Sequence, residues 1–368
     1  MAPGGTVLTL WAKHRSVDAR AASAPGNVDK GVRELEARGH NVIWFYPSVR
    51  RCRTLFSLVG QRGIYATTTP AMVRIALRTK AVIYTSSPEW ARIVARLKQY
   101  RVLKNRFVYR WAGVDTDVEA IRRGDAFAEP DVNVLAHSEV CLLASRVLRD
   151  RIADAAPMAA HKLEFWPTGI DSDFYAGLTV DAHIDDWDVA AVGSDNKRDW
   201  NVPIDLARRG LRVAIITEDS SAKARVERLG SSRPESLHLF FRAGFHESAK
   251  IMARAKVILI ATLPNIRFSG STTVGVAAAL AKPLVLDDPE DGAGYGLVPG
   301  VNCEIFKRGD AADAHRAILL IAQQSDHAIE LSRNISRLVP SLDLRRYASA
   351  LEACFEDDWH RNDFTVLA

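Results

Sequence analysis

Cysteine is scarce: Cys52, Cys141, Cys303 and Cys354 are the only four in 368 residues, far apart and with no CxxC pair. That spacing excludes a disulfide framework and a cysteine zinc site, and it suits a reducing cytoplasm. The ten histidines are scattered, with no HExxH or comparable ligand spacing, so no metal is expected. No apolar run approaches the ~20 residues that cross a bilayer, and no signal-peptide core stands at the N-terminus. Internal repeats and low-complexity tails are absent as well. What is present is an ordinary globular composition, 48% hydrophobic and 25% charged, long enough for two domains. The expected location is cytoplasmic, peripheral at the inner face of the membrane if attached to one.

The net charge of +5 conceals an asymmetry. Residues 1–110 hold 20 Lys/Arg against 5 Asp/Glu, an excess of 15, so the remainder carries −10. Arg50-Arg51-Cys52-Arg53 and the stretch from Arg92 to Arg110 interleave cations with Leu, Val, Phe and Tyr. Such a mixture fits an anionic membrane surface or a polyanionic acceptor, with no nucleic acid expected. The plainer alternative for any one block is a solvated helix face whose aliphatic stems cover a core.

Short apolar runs alternate with helical stretches, the pattern of a parallel α/β sheet. In the first half the strands are expected at Val7–Trp11, Val42–Tyr46, Ala81–Thr85, Phe107–Tyr109, Val132–Ala136 and Leu163–Trp166. Residues 176–187 are polar and read as a linker. A second series follows: Asp188–Val192, Arg212–Ile216, Leu237–Phe240, Ala255–Ile260, Leu284–Leu286 and Cys303–Phe306. A last amphipathic helix covers Leu344–Trp359. The most informative stretch joins two strands of the second series. There the polar turn Ser269-Gly270-Ser271-Thr272-Thr273 opens an Ala-rich helix that ends at Lys282-Pro283. Free amides and the positive dipole end of such a helix favour a phosphate. The alternative is that Ser271 or Thr272 merely caps a core helix.

Five segments, in order, carry a family resemblance: GVRELEARGHNVIWFY (31–46), AHSEVCLLASRVLRD (136–150), KLEFWPTGIDSDFY (162–175), AVGSDNKRDW (191–200) and VNCEIFKRGDAADAHRAI (301–318). Together they resemble the GT-B glycosyltransferases, especially the family-4 type. The resemblance implies an α/β fold of two Rossmann-like domains facing across an interdomain cleft. The first would be an acceptor-binding domain over 1–178 and the second a nucleotide-sugar domain over 179–343, with the helix of 344–368 packing back on the first. It implies a metal-independent transferase with no bound cofactor, whose substrate is a UDP- or GDP-linked sugar. The acceptor would be a glycan or lipid-linked molecule, as in polysaccharide or glycoconjugate synthesis. One departure is large: the two glutamates that this type carries across the phosphate turn fall at Phe268 and Val276.

In that frame the diphosphate meets Lys197 and Arg198 on one side, beside the turn Gly193-Ser194, and Ser269 through Thr273 on the other. The resemblance sets the nucleobase against Gly244 and Phe245, the latter equally suited to a core. Thr217 and Glu218 open toward the same place, Glu218 as a ribose acceptor. Transition-state charge falls to Lys197 and Arg198 with the Ser271–Thr273 amides and hydroxyls, Arg267 being a weaker alternative, and the acceptor base to Asp115, with His14 and Glu89 as rivals. Asp171 shapes a bend. Two other functions stay open: a nucleotide-sugar epimerase of the same fold, and a catalytically lapsed nucleotide-sugar or polyanion binding protein.

Overall fold

The computed structural model describes residues 5–11, 31–45, 65, 68–111, 118–126, 128–178, 186–194, 197–264, 268–287 and 289–355. The chain forms two compact units, one of Met1–Trp166 with Tyr347–Val366 and one of Pro167–Arg346. Each holds a six-stranded parallel sheet flanked by helices, so the α/β fold of two Rossmann-like domains is present as expected.

In the first unit the strands are β1 (Thr6–Leu10), β2 (Asn41–Phe45), β3 (Val82–Thr85), β4 (Phe107–Trp111), β5 (Val140–Leu143) and β6 (Leu163–Phe165), ordered β2-β1-β3-β4-β5-β6. β3, β4 and β5 are buried along their whole length, as parallel strands with both faces covered must be. The helix Pro88–Gln99 starts at Ser87, whose side chain accepts from the Trp90 amide, with proline at the first helical position. It buries Trp90, Ala91, Val94 and Ala95.

The strand expected at Val132–Ala136 is instead the interior of a helix, Glu129–His137. Pro130 sits in its first turn with Glu129 and Asp131, which favour a helix N-terminus, and only Val134 and Leu135 are buried. The strand comes three residues after the helix, as β5.

The helix Leu344–Ala353 belongs, from Tyr347 on, to the first unit. The Tyr347 ring meets Trp166 edge-on at 5.0 Å. Arg38 donates to Ser349 Oγ at 2.7 Å and to Glu352 at 3.2 Å, while buried His40 Nε2 lies 2.6 Å from Glu352. Arg106 Nε donates to the Cys354 carbonyl at 2.7 Å.

The second unit is built on β7 (Trp187–Val192), β8 (Val213–Thr217), β9 (Leu237–Phe241), β10 (Ala255–Ile260), β11 (Leu284–Leu286) and β12 (Glu304–Ile305), ordered β12-β11-β10-β7-β8-β9. Val189, Ile215, Val257, Leu259 and Val285 pack there with Leu206, Ala317 and Ile321 from the covering helices. The segment Pro167–Leu178 goes with this unit: the Ile170 amide donates to Leu342 at 2.7 Å, and the Leu344 amide donates to Ile170 at 2.8 Å. Asp171 accepts from the Phe174 amide and so starts the helix Ser172–Ala176.

Candidate functional site

The strand order of the second unit reverses between β7 and β10. From β7 the chain steps outward to β8 and β9, and from β10 it steps the other way to β11 and β12. At such a switch point the loops leave toward opposite faces and open a crevice beyond the carboxyl ends of the strands. β7 and β10 are paired in register, Ala191 with Leu259. Their two trailing loops are therefore neighbours, and they carry most of the residues singled out in the sequence.

After β7 the chain returns to run beside the end of β10. Arg198 forms an antiparallel bridge with Thr262, the Asp199 amide donates to Ala261 at 3.0 Å, and the Leu263 amide donates to Lys197 at 2.8 Å. This pins the backbone of Lys197 and Arg198. The Arg198 side chain then folds back across Gly193, where a Cβ would lie 2.3 Å from its Nε. Arg198 is 8% exposed, and its Nη2 donates to Thr273 Oγ1 at 3.2 Å. Gly193 and Arg198 are thus brought together with Thr273, which lies 75 residues beyond Arg198 in sequence. Lys197 is half-buried and Ser194 exposed.

Thr273 lies in the first turn of the helix Ser271–Ala279, whose N-cap is Gly270. No side-chain hydroxyl among the described residues caps this helix, so the capping role weighed for Ser271 and Thr272 is not used. The first intrahelical amide bond is Val274 to Gly270, which leaves the amides of Ser271, Thr272 and Thr273 at the open positive end. Gly270 is tightly packed: a Cβ there would sit 3.0 Å from two Ile260 side-chain carbons, which would have to give by a few tenths of an ångström. Ser269 is buried, Ser271 Oγ accepts from Thr168 Oγ1 at 3.2 Å, and Thr272 is exposed. The turn therefore offers one exposed hydroxyl, first-turn amides and a guanidinium, a donor set suited to a phosphate.

Phe268 and Val276 are 5% and 4% exposed. The Phe268 ring lies 5.2 Å from that of Tyr295, and the Tyr295 hydroxyl accepts from the Thr168 amide at 3.2 Å. Both positions are core, with no polar atom to offer a sugar hydroxyl.

Farther along the same edge, Thr217 is buried at the end of β8. Its Oγ1 accepts from the Asp219 amide at 2.9 Å and its carbonyl from the Arg242 amide at 2.9 Å, so it shapes the turn, while Glu218 beside it is exposed. Gly244 precedes the helix Phe245–Ala253, and Phe245 is 46% exposed, which rules out the core role weighed for it.

Two residues were missed in the sequence. Asp219 caps the helix Ser220–Glu227 and accepts from Trp200 Nε1 at 3.3 Å. Burial raises its pKa, but the Ser221 and Trp200 hydrogen bonds outweigh that and hold it below the ordinary carboxylate value. Asp287, its side chain fully buried at the end of β11, accepts from the amide and hydroxyl of Thr262 at 2.8 and 2.9 Å. It holds the strand end against which Arg198 is bridged. An Asp closing an apolar run was the available signal for it.

The first unit has its own reversal between β1 and β3. There Thr85 Oγ1 donates to the Leu10 carbonyl at 2.6 Å, and exposed Glu89 accepts from Ser87 Oγ at 2.7 Å. His14, Asp115 and Arg267 lie outside the described residues. Among the described residues no group of three His, Cys, Asp or Glu is placed to hold a metal, and no helix is long and apolar enough to cross a membrane. Burial pushes the Cys141 and Cys354 thiols up and that of Cys303 up to about 12, so none is a thiolate nucleophile.

No family model matches the chain, and neither does any curated protein. Solved structures do. HepE from Anabaena, in complex with UDP and glucose, is 15% identical with a TM-score of 0.65 over 95% of this chain and 98% of that one. Sucrose-phosphate synthase from Thermosynechococcus elongatus is 12% identical with a TM-score of 0.71 over 95% and 97%. An α,α-trehalose-phosphate synthase (UDP-forming) from Burkholderia vietnamiensis is 11% identical with a TM-score of 0.68 over 96% and 97%. At these identities the likeness is one of fold.

Proposed function

We propose that the protein is a glycosyltransferase, a divergent relative of the family-4 type, which takes a sugar from a nucleoside-diphosphate donor held in the second unit. The observation that carries this reading is Arg198 folded over Gly193 onto Thr273, at the switch point and beside the open helix turn. Breaking the bond to the donor's diphosphate builds negative charge on the leaving group. A fixed guanidinium and first-turn amides stabilise that charge more as it grows. Lys197 adds a second cation. Phe245, exposed at the β9 edge, supplies a face for the base. UDP in the HepE complex and in the UDP-forming synthase supports a uridine over a guanosine donor. The first unit is assigned the glycan or lipid-linked acceptor, with Glu89 as the described candidate base at its own switch point.

Burial of Phe268 and Val276 favours a second reading, a nucleotide-sugar binding protein without transfer. One experiment separates the two. UDP, GDP and their glucose, galactose and mannose conjugates are screened by thermal shift, and the stabilising sugar nucleotide is then incubated with glycan and lipid extracts. Ligand at a hundred times its Kd should stabilise the fold by about 2.7 kcal/mol. Nucleotide release with labelled product supports transfer, tight binding without turnover supports the second reading, and stabilisation by none of them defeats both.

A further inference from the structure

In the first unit, the edge where β3 and β4 begin lies opposite the strand ends that carry Ser87 and Glu89. The helix over 68–79 ends there at Lys80, and the helix Pro88–Gln99 ends there through Tyr100 and Arg101. Asn105 ties the two turns together: its Nδ2 donates to Ala76 and Ala81 carbonyls at 3.0 and 2.8 Å, and its own carbonyl accepts from Lys98 at 2.6 Å. Three large apolar side chains stand out at this edge: Leu77 53% exposed, Tyr100 66% and Val102 44%.

Around them are Arg74, Arg78, Lys80, Arg96, Arg101 and Lys104, all exposed. None of the six makes an ion pair with an acid among the described residues, whereas Arg92 and Lys98 pair with Asp131 and Glu139. Residues 71–104 hold eight cations and a single acid, Glu89, at the far end of its helix.

We propose that this edge docks the protein on an anionic phospholipid surface. The cations meet headgroup phosphates, while Leu77, Tyr100 and Val102 enter the headgroup–acyl boundary, where a tyrosine keeps its hydroxyl in water. Cations alone would suit a polyanion such as a nucleic acid, on which a tyrosine can also stack, but the exposed aliphatic side chains of Leu77 and Val102 have neither a phosphate nor a base-stacking role there. The proposal is independent of the donor site, since its probes contain no nucleotide.

The test is co-sedimentation of the full chain with phosphatidylcholine vesicles, pure or one-third phosphatidylglycerol, at about 0.1 M salt. Binding is expected to the mixed vesicles and not to the pure ones. The double variant Arg78→Ser/Lys104→Ser should bind about 25-fold more weakly, roughly fivefold per cation. Leu77→Ser/Tyr100→Ser/Val102→Ser should lose binding with its Tm unchanged, since all three side chains are exposed. Equal binding to both vesicles, or wild-type binding by the apolar triple variant, overturns the proposal. So does displacement by double-stranded RNA that the triple variant leaves intact, which would assign the edge to nucleic acid.

Discussion

Arg198 lies so close over the end of β7 that a Cβ at residue 193 would stand 2.3 Å from its Nε and 2.6 Å from its Cγ. The backbone of Arg198 is fixed by the bridge to Thr262, so a side chain at 193 must displace the Arg198 side chain from the path by which it reaches Thr273. Gly193→Ala should therefore weaken UDP binding by about 10- to 100-fold, the value of one to two charge-assisted hydrogen bonds. Titration calorimetry reads this directly, and unchanged affinity would mean that Arg198 does not face the ligand. Thr272 offers only a neutral hydroxyl, so Thr272→Val should cost about 3- to 10-fold in the same titration. Lys197 and Arg198 were visible in the sequence as a pair near the right turn. Which of them reaches the helix was not, because that depends on the bridge to Thr262 at a distant strand end and on a methyl group that Gly193 lacks.

The helix Ser271–Ala279 is buried on nearly every side, which explains its composition of Ala, Val and Gly. A Cβ at Gly275 would lie 3.1 Å from Ile170 Cβ, an atom next to the backbone that cannot swing aside. Gly275→Ala should thus destabilise by about 1–3 kcal/mol through overpacking, against the roughly 1 kcal/mol that alanine gains in a helix interior. A raised Tm in the variant would show that Ile170 yields. The C-terminal helix is held by a different device. Burial pushes the Glu352 pKa up, but hydrogen bonds from His40 and Arg38 prevail and hold it below its ordinary value of 4.5. A carboxylate with a depressed folded pKa stabilises above its unfolded pKa, and that contribution is lost as pH falls through the folded value. Glu352→Gln should lower Tm at pH 7, and the difference from wild type should shrink as pH falls below the ordinary glutamate range and through the depressed folded value. An equal difference at both ends of that range would contradict this.

Strands were legible wherever an apolar run was bounded by turn residues, as at β3, β8 and β10. Val132–Ala136 misled because four of its five residues are apolar and a helix segment that short has no readable period. Pro130 after an acid was the better signal.

At the scale of the whole molecule, two parallel sheets each reverse their strand order once, and solved GT-B structures match over about 95% of the chain. The architecture was readable because alternating strands and helices leave few topologies. Of the ligand set proposed for the second unit, the Gly/Ser/Thr turn and the Lys197-Arg198 pair were legible in the sequence, whereas the fold of Arg198 over Gly193 onto Thr273 was not. Of the residues proposed to activate an acceptor, Asp115 and His14 lie outside the described residues, and Glu89 stands just beyond the end of β3. The charge imbalance was countable, but its focus at Leu77, Tyr100 and Val102 needed the fold, since two helix ends and a loop build that edge. The central claim is that the switch point of the second unit binds a nucleoside diphosphate through Arg198. Calorimetric titration of UDP into the wild-type chain and into Arg198→Ala tests it most directly. The account predicts one site per chain in the wild type and an affinity lower by at least about tenfold in the variant at equal helical content. Equal affinities, or no binding to the wild type, would contradict it.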